Sequence, residues 1–358
     1  MKIVYHSFEG RYSDNPRALH EALRTRTGTE HEHVWLADAE HAHGFPADAA
    51  TVPFGTPEAR RALESADLVV SNTHLDLDWD KPAHATYLQT WHGTPLKRIH
   101  RDVLFAPEGR LDRLDHDVAR WDLLLSPNAA STPLLRGAFR FPGPVHETGY
   151  PRNDVLLAPD AAQRRARVRE QLGIADGVQA VLYAPTWRDD DFFGEGPKFA
   201  LRFDVERFRS ELGEGSVLML RLHYMVSAAL SGAELPGVVD VSFHPDISDL
   251  YLAADVLVTD YSSVQFDFAV TGKPIVYHVH DLEHYRGVLR GFYFDFEEIA
   301  AGPLLATSEE VVEALRDVDV VRAQYGERYA AFQERFCHLE DGRAGDRVLD
   351  LVLGEENR

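Results

Sequence analysis

Short apolar runs, each followed by an amphipathic stretch, recur along almost the whole chain, and this alternation constrains the fold more than any other feature. A parallel strand needs a crossover, usually a helix, to bring the chain back to the same edge of the sheet. In the first half the apolar runs fall at residues 2–6, 33–36, 68–71, 87–91, 123–126 and 145–148. Helical stretches at 16–24, 58–65 and 132–138 separate some of them, with Asn15 expected as the N-cap ahead of Pro16. A polar, arginine-rich helix at 160–172 follows, carrying Arg164, Arg165, Arg167 and Arg169. The alternation then restarts at 178–183, 217–222, 238–241, 256–259 and 275–278.

The restart predicts an α/β chain of two Rossmann-like domains, with parallel sheets facing an interdomain cleft. The expected division is 1–174, 175–340 and a C-terminal segment 341–358 whose helix crosses back onto the first domain. The spacing of Thr307 and Glu310 reads as a capping box opening a helix at 309–317. Neither half carries the Gly-x-Gly-x-x-Gly fingerprint after its first strand, which disfavours a dinucleotide dehydrogenase. A GT-B-like architecture, with acceptor on one domain and nucleotide donor on the other, fits the pattern better.

Charge narrows the partners. The 358 residues carry 37 basic and 58 acidic side chains, a formal net charge of −21, so no nucleic-acid partner is expected. No apolar run approaches the roughly 20 residues that cross a bilayer, and the N-terminus lacks the features of a signal peptide. The single cysteine, Cys337, fits a reducing compartment, and a cytoplasmic location is expected. The pairs His31/His33, His41/His43 and His278/His280 have no further ligands at metal-site spacing, and neither metal nor cofactor is expected. The charge-rich stretches at 109–120 and 164–169 read as solvated helix faces.

The candidate chemistry gathers at strand ends. Thr259-Asp260-Tyr261-Ser262-Ser263 closes an apolar run and opens a helix at 264–270, placing two hydroxyls and unpaired backbone N–H groups where a phosphate would be held. The alternative is ordinary capping by Ser262 or Ser263. Arg221 and His223 end a second strand, and Thr186 and Arg188 a third. His244 to Tyr251 start a helix just before the serine turn. In a doubly wound sheet such ends share one crevice. In the first half, Gln89-Thr90-Trp91-His92-Gly93-Thr94-Pro95-Leu96-Lys97 runs from a strand into a histidine and a glycine. His92 is there either a general base near neutral pKa or a buried structural histidine.

Taken in order, Trp91 to Lys97, Gly149-Tyr150-Pro151-Arg152-Asn153-Asp154, Tyr183 to Arg188, Arg221 to Tyr224, Pro245 to Tyr251, Thr259 to Ser263 with Phe266-Asp267-Phe268, and Leu289 to Asp295 resemble the bacterial CDP-glycerol glycerophosphotransferases, the teichoic acid glycerol-phosphate polymerases. The resemblance covers about residues 85–315; the first 80 match only in general pattern. It implies a GT-B fold and transfer of glycerol phosphate from CDP-glycerol to a hydroxyl of a teichoic-acid-like or capsular acceptor, releasing CMP. It implies His92 as the general base, and His223 with Arg221 as binders of the diphosphate that stabilise the leaving CMP. Asp260, Ser262 and Ser263 would line the phosphate site, without a metal. Thr186, Arg188, Arg152, Asn153 and Arg290 would be further donor contacts, and Gly93, Thr94 and Lys97 would face the acceptor, a polyol-phosphate or lipid-linked polymer. His100 departs from the small residue that members often have there. Members that extend lipid-linked polymers work at the inner membrane face, and residues 164–169 are the one candidate patch for a weak peripheral contact. Three rivals stay open: a GT-B glycosyltransferase using a nucleotide sugar, a transferase using CDP-ribitol or another polyol donor, and a non-catalytic nucleotide- or polymer-binding protein.

Overall fold

The computed structural model describes residues 1–186, 201–222, 236–289 and 291–354. Its contacts divide the chain into two units. One comprises residues 1–94, 99–155 and 338–358, the other residues 95–98 and 156–337.

In the first unit, β1 (Lys2–His6), β2 (Glu32–Ala37), β3 (Thr51–Pro53), β4 (Leu68–Ser71), β5 (Thr86–Gln89), β6 (Leu123–Ser126) and β7 (Val145–Glu147) form one sheet in the order β3-β2-β1-β4-β5-β6-β7. All its pairings are parallel. Successive side chains of a strand point to opposite faces. Ile3 and Tyr5 pack with Trp35, Leu88, Leu19 and Leu23 of the helix Asp14–Thr27, and Val348 and Leu349 of the helix Ala344–Leu353. Val4 packs on the other face with Val69, Tyr87, Leu63 and Leu135. Burying both faces is what makes these strands continuous apolar runs.

The second unit repeats the scheme. Here β8 (Gln179–Tyr183), β9 (Ser216–Leu220), β10 (Val238–Asp240), β11 (Val256–Thr259), β12 (Ile275–His278) and β13 (Leu304–Leu305) take the order β10-β9-β8-β11-β12-β13, again parallel. In each sheet the first strand lies beside the fourth, so the strand order reverses there and opens a crevice at the carboxyl ends, β1/β4 in one unit and β8/β11 in the other.

Several expectations are corrected. The division falls after Val155, not at 174/175, because the helix Ala161–Gln171 is bonded into the second unit. Arg165 Nη1 donates to the carbonyls of Leu252, Ala253 and Ala254 at 2.6, 2.8 and 2.9 Å, and Arg165 pairs with Asp255 at 2.6 Å. Arg169 bonds Ala253 O and Asp255, and Arg164 bonds Asp249 and Asp246. Arg165 and Arg169 satisfy the last carbonyls of the helix Ile247–Ala253 and Arg164 pairs with carboxylates near its start, so the three form an internal clamp, not a solvated face or a free basic patch; Arg167 stays exposed. Residues 95–98 leave the first unit: Arg98 N donates to Gly291 O, Tyr293 N to Leu96 O, and Lys97 bridges to Phe292 antiparallel. Lys97, expected beside the acceptor on the first domain, therefore belongs to the second unit. The first helix takes Ser13, not Asn15, as its N-cap, and Asn15 is buried inside it. The short edge strands β3 and β13 and the long helix Val318–Phe336 had no distinct apolar period to announce them.

Candidate active site

In the first unit, β5 ends at Gln89, and the chain then turns through a backbone hook held by side chains. Gln89 Oε1 accepts from Trp91 N at 2.9 Å while its amide donates to Thr73 O at 3.0 Å. Thr90 Oγ1 and Asn15 Nδ2 both donate to Trp91 O, at 2.9 and 3.2 Å. These bonds fix Trp91 at φ +54°, left-handed backbone that a bulky residue rarely adopts.

Two aromatic rings and a carbonyl then hold the His92 ring. Trp91 stacks on it with ring centroids 4.1 Å apart, and Phe8 lies at 5.4 Å. Nδ1 lies 2.5 Å from Asn72 O. A carbonyl can only accept, so Nδ1 carries the proton and Nε2 of the neutral ring carries a lone pair. Burial lowers the His92 pKa below its ordinary 6.5; Asn72 O and Asp14 oppose that, while Arg152 and His74 add to it. Below the ring, Arg152 Nη1 donates to His92 O at 2.9 Å and to Asp14 Oδ2 at 2.6 Å, a pair whose side chains are only 7% and 8% exposed. The Arg152 backbone N–H donates to Asn15 Oδ1 at 3.1 Å. Gly93 N donates to the Tyr150 hydroxyl at 3.3 Å, and Asn128 Nδ2 to Thr94 Oγ1 at 3.1 Å.

In the second unit, the ends of β8 and β11 meet at the strand-order reversal. Thr259 Oγ1 donates to Ala184 O at 2.7 Å, and Thr186 N donates to the buried Asp260 Oδ1 at 2.8 Å. Asp260 thus ties the two loops together. Ser262 and Ser263 stand half-buried at the start of the helix Val264–Phe268. Ser263 occupies the N-cap position with helical backbone and makes no side-chain cap bond, and Ser262 Oγ accepts a long 3.4 Å bond from Val264 N. Arg221 Nη1 donates to Val241 O and His244 O at 2.7 and 2.5 Å, clipping the turn after β10.

The sequence-predicted residues thus separate into two groups. His92, Gly93, Thr94, Arg152 and Asn153 lie in the first unit; Lys97, Thr186, Arg221, Asp260, Ser262 and Ser263 lie in the second. Arg152 and Asn153 were expected as donor contacts. The structure engages Arg152 with Asp14 and the His92 turn, and Asn153 Nδ2 with Glu340 at 3.2 Å. His223, Arg188 and Arg290 lie outside the described residues. Asp14, Asn15, Asn72 and Tyr150 were missed as site residues. Asn15 carried a signal, but it was read as a helix cap. Among the described residues no group of three or more His, Cys, Asp or Glu side chains is placed to hold a metal ion.

Comparison with known proteins gives the chain its family. Over 366 residues the chain is 38% identical to the teichoic acid poly(glycerol phosphate) polymerase of Bacillus subtilis (strain 168), matching 99% of this chain but only 49% of the polymerase. The chain therefore spans about half the length of that relative. It is also 38% identical over 368 residues to the teichoic acid glycerol-phosphate transferase of Staphylococcus aureus (strain NCTC 8325 / PS 47), matching 98% of this chain and 92% of that protein. The solved wall teichoic acid polymerase TagF, in a variant soaked with CDPG, superposes with a TM-score of 0.90 at 35% identity, covering 98% of this chain and 88% of that one. Its likeness makes the fold GT-B-like. With residues 1–354 matching the family model as well, the chain belongs to the CDP-glycerol:poly(glycerophosphate) glycerophosphotransferase family.

Proposed function

We propose that this protein transfers glycerol phosphate from CDP-glycerol to a terminal hydroxyl of a teichoic-acid-type acceptor, with His92 as general base. The observation that carries the reading is the fixed tautomer of His92, whose Nδ1–H is held by Asn72 O so that Nε2 is the basic atom. The acceptor hydroxyl gives its proton to Nε2 as its oxygen attacks the β-phosphorus. A new P–O bond to the acceptor forms, and the bond from that phosphorus to the bridging oxygen breaks, releasing CMP with that oxygen. The depressed pKa supports the role, because a neutral imidazole is the form that can take the proton.

The donor falls to the second unit in this reading. Ser262 and Ser263 offer hydroxyls at a helix start, and Asp260 holds that turn against Thr186. Arg221 keeps the neighbouring strand end in shape, and His223 would stabilise the charge on the leaving phosphate. Arg188 and Arg290 remain proposed donor contacts, and Gly93 and Thr94 proposed acceptor contacts. Arg152 acts through His92: its guanidinium and Asp14 set the height of the catalytic turn. No helix among the described residues is long and apolar enough to cross a membrane. We place the reaction at the cytoplasmic side, where CDP-activated donors and a reduced Cys337 are compatible.

The test is CMP release from CDP-glycerol in the presence of a glycerol-phosphate-bearing acceptor, with CDP-ribitol and a UDP-sugar as parallel donors. CMP release with CDP-glycerol is expected, and turnover confined to another donor refutes the assignment. His92→Ala should lower transfer by about 100- to 10,000-fold while leaving CDP-glycerol affinity within threefold. If affinity collapses with the rate, His92 belongs to donor binding.

A further inference from the structure

A second polar site lies in the first unit, away from the catalytic turn. A cavity of ≈ 170 Å³ is lined by His20 and Arg24 of the first helix, by His31 just before β2, by His33 and Trp35 on β2, and by Asp48. It sits towards the C-terminal end of that helix, whereas Asn15, near the N-terminal end, holds the catalytic turn. At 1.5 Å per residue, Asn15 and Arg24 are about 14 Å apart along the helix axis.

The walls hold polar groups that the fold leaves unsatisfied. Trp35 is fully buried, and among the described residues its Nε1 has no hydrogen-bond partner; the same holds for His33 Nε2 and both nitrogens of His31. An indole N–H can only donate, and a buried donor without an acceptor is a costly state that native proteins seldom leave unanswered. Four unpartnered polar atoms within residues 31–35, beside a cavity, point to a ligand.

The chemistry of the walls selects its class. His20 Nδ1 lies 3.0 Å from the Tyr12 hydroxyl, and that hydroxyl donates to Glu21 Oε1 at 3.3 Å. Nδ1–H of His20 must therefore donate to Tyr12, which leaves Nε2 as an acceptor. His31 adds two ring nitrogens, and Trp35 adds a donor. Arg24 and Asp48 are paired with each other at 2.9 Å, so the fixed charges cancel. Burial keeps His20 and His33 neutral, with pKa values lowered to about 4. A phosphate would satisfy the donors and leave the acceptors bare, in a place that resists protonation. A hydroxyl both gives and takes a hydrogen bond. We propose that this cavity binds a small neutral polyol, of the size of a glycerol unit, between Trp35, His31, His33 and His20.

The test needs no turnover and so stands apart from the reaction proposed above. In ¹⁵N-labelled protein the Trp35 indole resonance is identified by its loss in Trp35→Phe. Glycerol should shift it saturably at millimolar concentration, together with the His33 ring protons. 1-Propanol, similar in size with one hydroxyl, should not. His33→Phe should weaken the glycerol shift at least fivefold; if that variant unfolds, the parent's glycerol-against-propanol comparison decides alone. A saturable response to inorganic phosphate and not to glycerol overturns the proposal. So does a shift that grows linearly with every additive, or no shift at all, since interior water would then satisfy the walls.

Discussion

Arg152→Ala probes how the His92 turn is held. The Arg152 and Asp14 side chains are 7% and 8% exposed and bond at 2.6 Å. Removing the guanidinium strands the Asp14 carboxylate with the Asn15 backbone N–H, at 2.7 Å, as its remaining neighbouring donor. Breaking one partner out of a buried pair costs about 3–5 kcal/mol, because the other charge stays desolvated. His92 O also loses a donor, worth about 1 kcal/mol, but the two losses overlap, and about 4 kcal/mol is expected in total. Asp14→Asn with Arg152→Ala should recover about 2 kcal/mol of this, because no charge is then left buried. Urea unfolding followed by circular dichroism measures Arg152→Ala, Asp14→Asn and the double variant. The same change lets the His92 backbone relax, and, with His92 as the proposed base, a misplacement of its ring by a fraction of an ångström should lower kcat about 10- to 100-fold. KM for CDP-glycerol should stay within threefold, since Arg152 is assigned to the His92 turn and not to the donor. A single variant within about 0.5 kcal/mol of the parent, or a double variant as weak as the sum of the singles, would refute the argument from buried charge.

Three further outcomes are expected. The acid limb of kcat should have its midpoint below the ordinary histidine value of 6.5, because burial lowers the His92 pKa and only the neutral ring accepts the proton; an acid limb centred above 6.5 contradicts the assignment. His6, His20 and His100 are buried with pKa values pushed down to about 3, about 4 and about 4. Below pH 6.5 the unfolded chain takes up protons that the folded one refuses, so stability present above about pH 7 falls as pH drops, by about 2 kcal/mol per histidine at pH 5. Equal urea midpoints at pH 7 and pH 5 would show that these rings are not held neutral. Ser262→Ala combined with Ser263→Ala should raise the Kd for CDP-glycerol about 10- to 100-fold with unchanged unfolding; unchanged affinity removes the phosphate role from that turn.

The two parallel sheets were legible in the sequence because each central strand is buried on both faces and so reads as an apolar run bounded by polar helix starts. Val256–Thr259 and Ile275–His278 match the structure residue for residue. The Thr307/Glu310 capping box also formed, because its two bonds are local. Edge strands such as Leu304–Leu305 are too short to carry a period. The histidine, the serine turn and the family pattern were likewise legible, since they are contiguous residue types.

Tertiary structure decided what those residues touch. Nothing local to Arg152 says that it reaches back to Asp14, 138 positions away, and under His92, and nothing local to Asn72 says that its carbonyl selects the tautomer of a histidine 20 positions on. The Arg165 and Arg169 side chains read as a solvated helix face because charge along a sequence does not show what lies opposite. Only folding brought the Leu252, Ala253 and Ala254 carbonyls against them. Backbone periodicity is set by neighbours in sequence, whereas hydrogen-bond satisfaction in a buried site is set by neighbours in space.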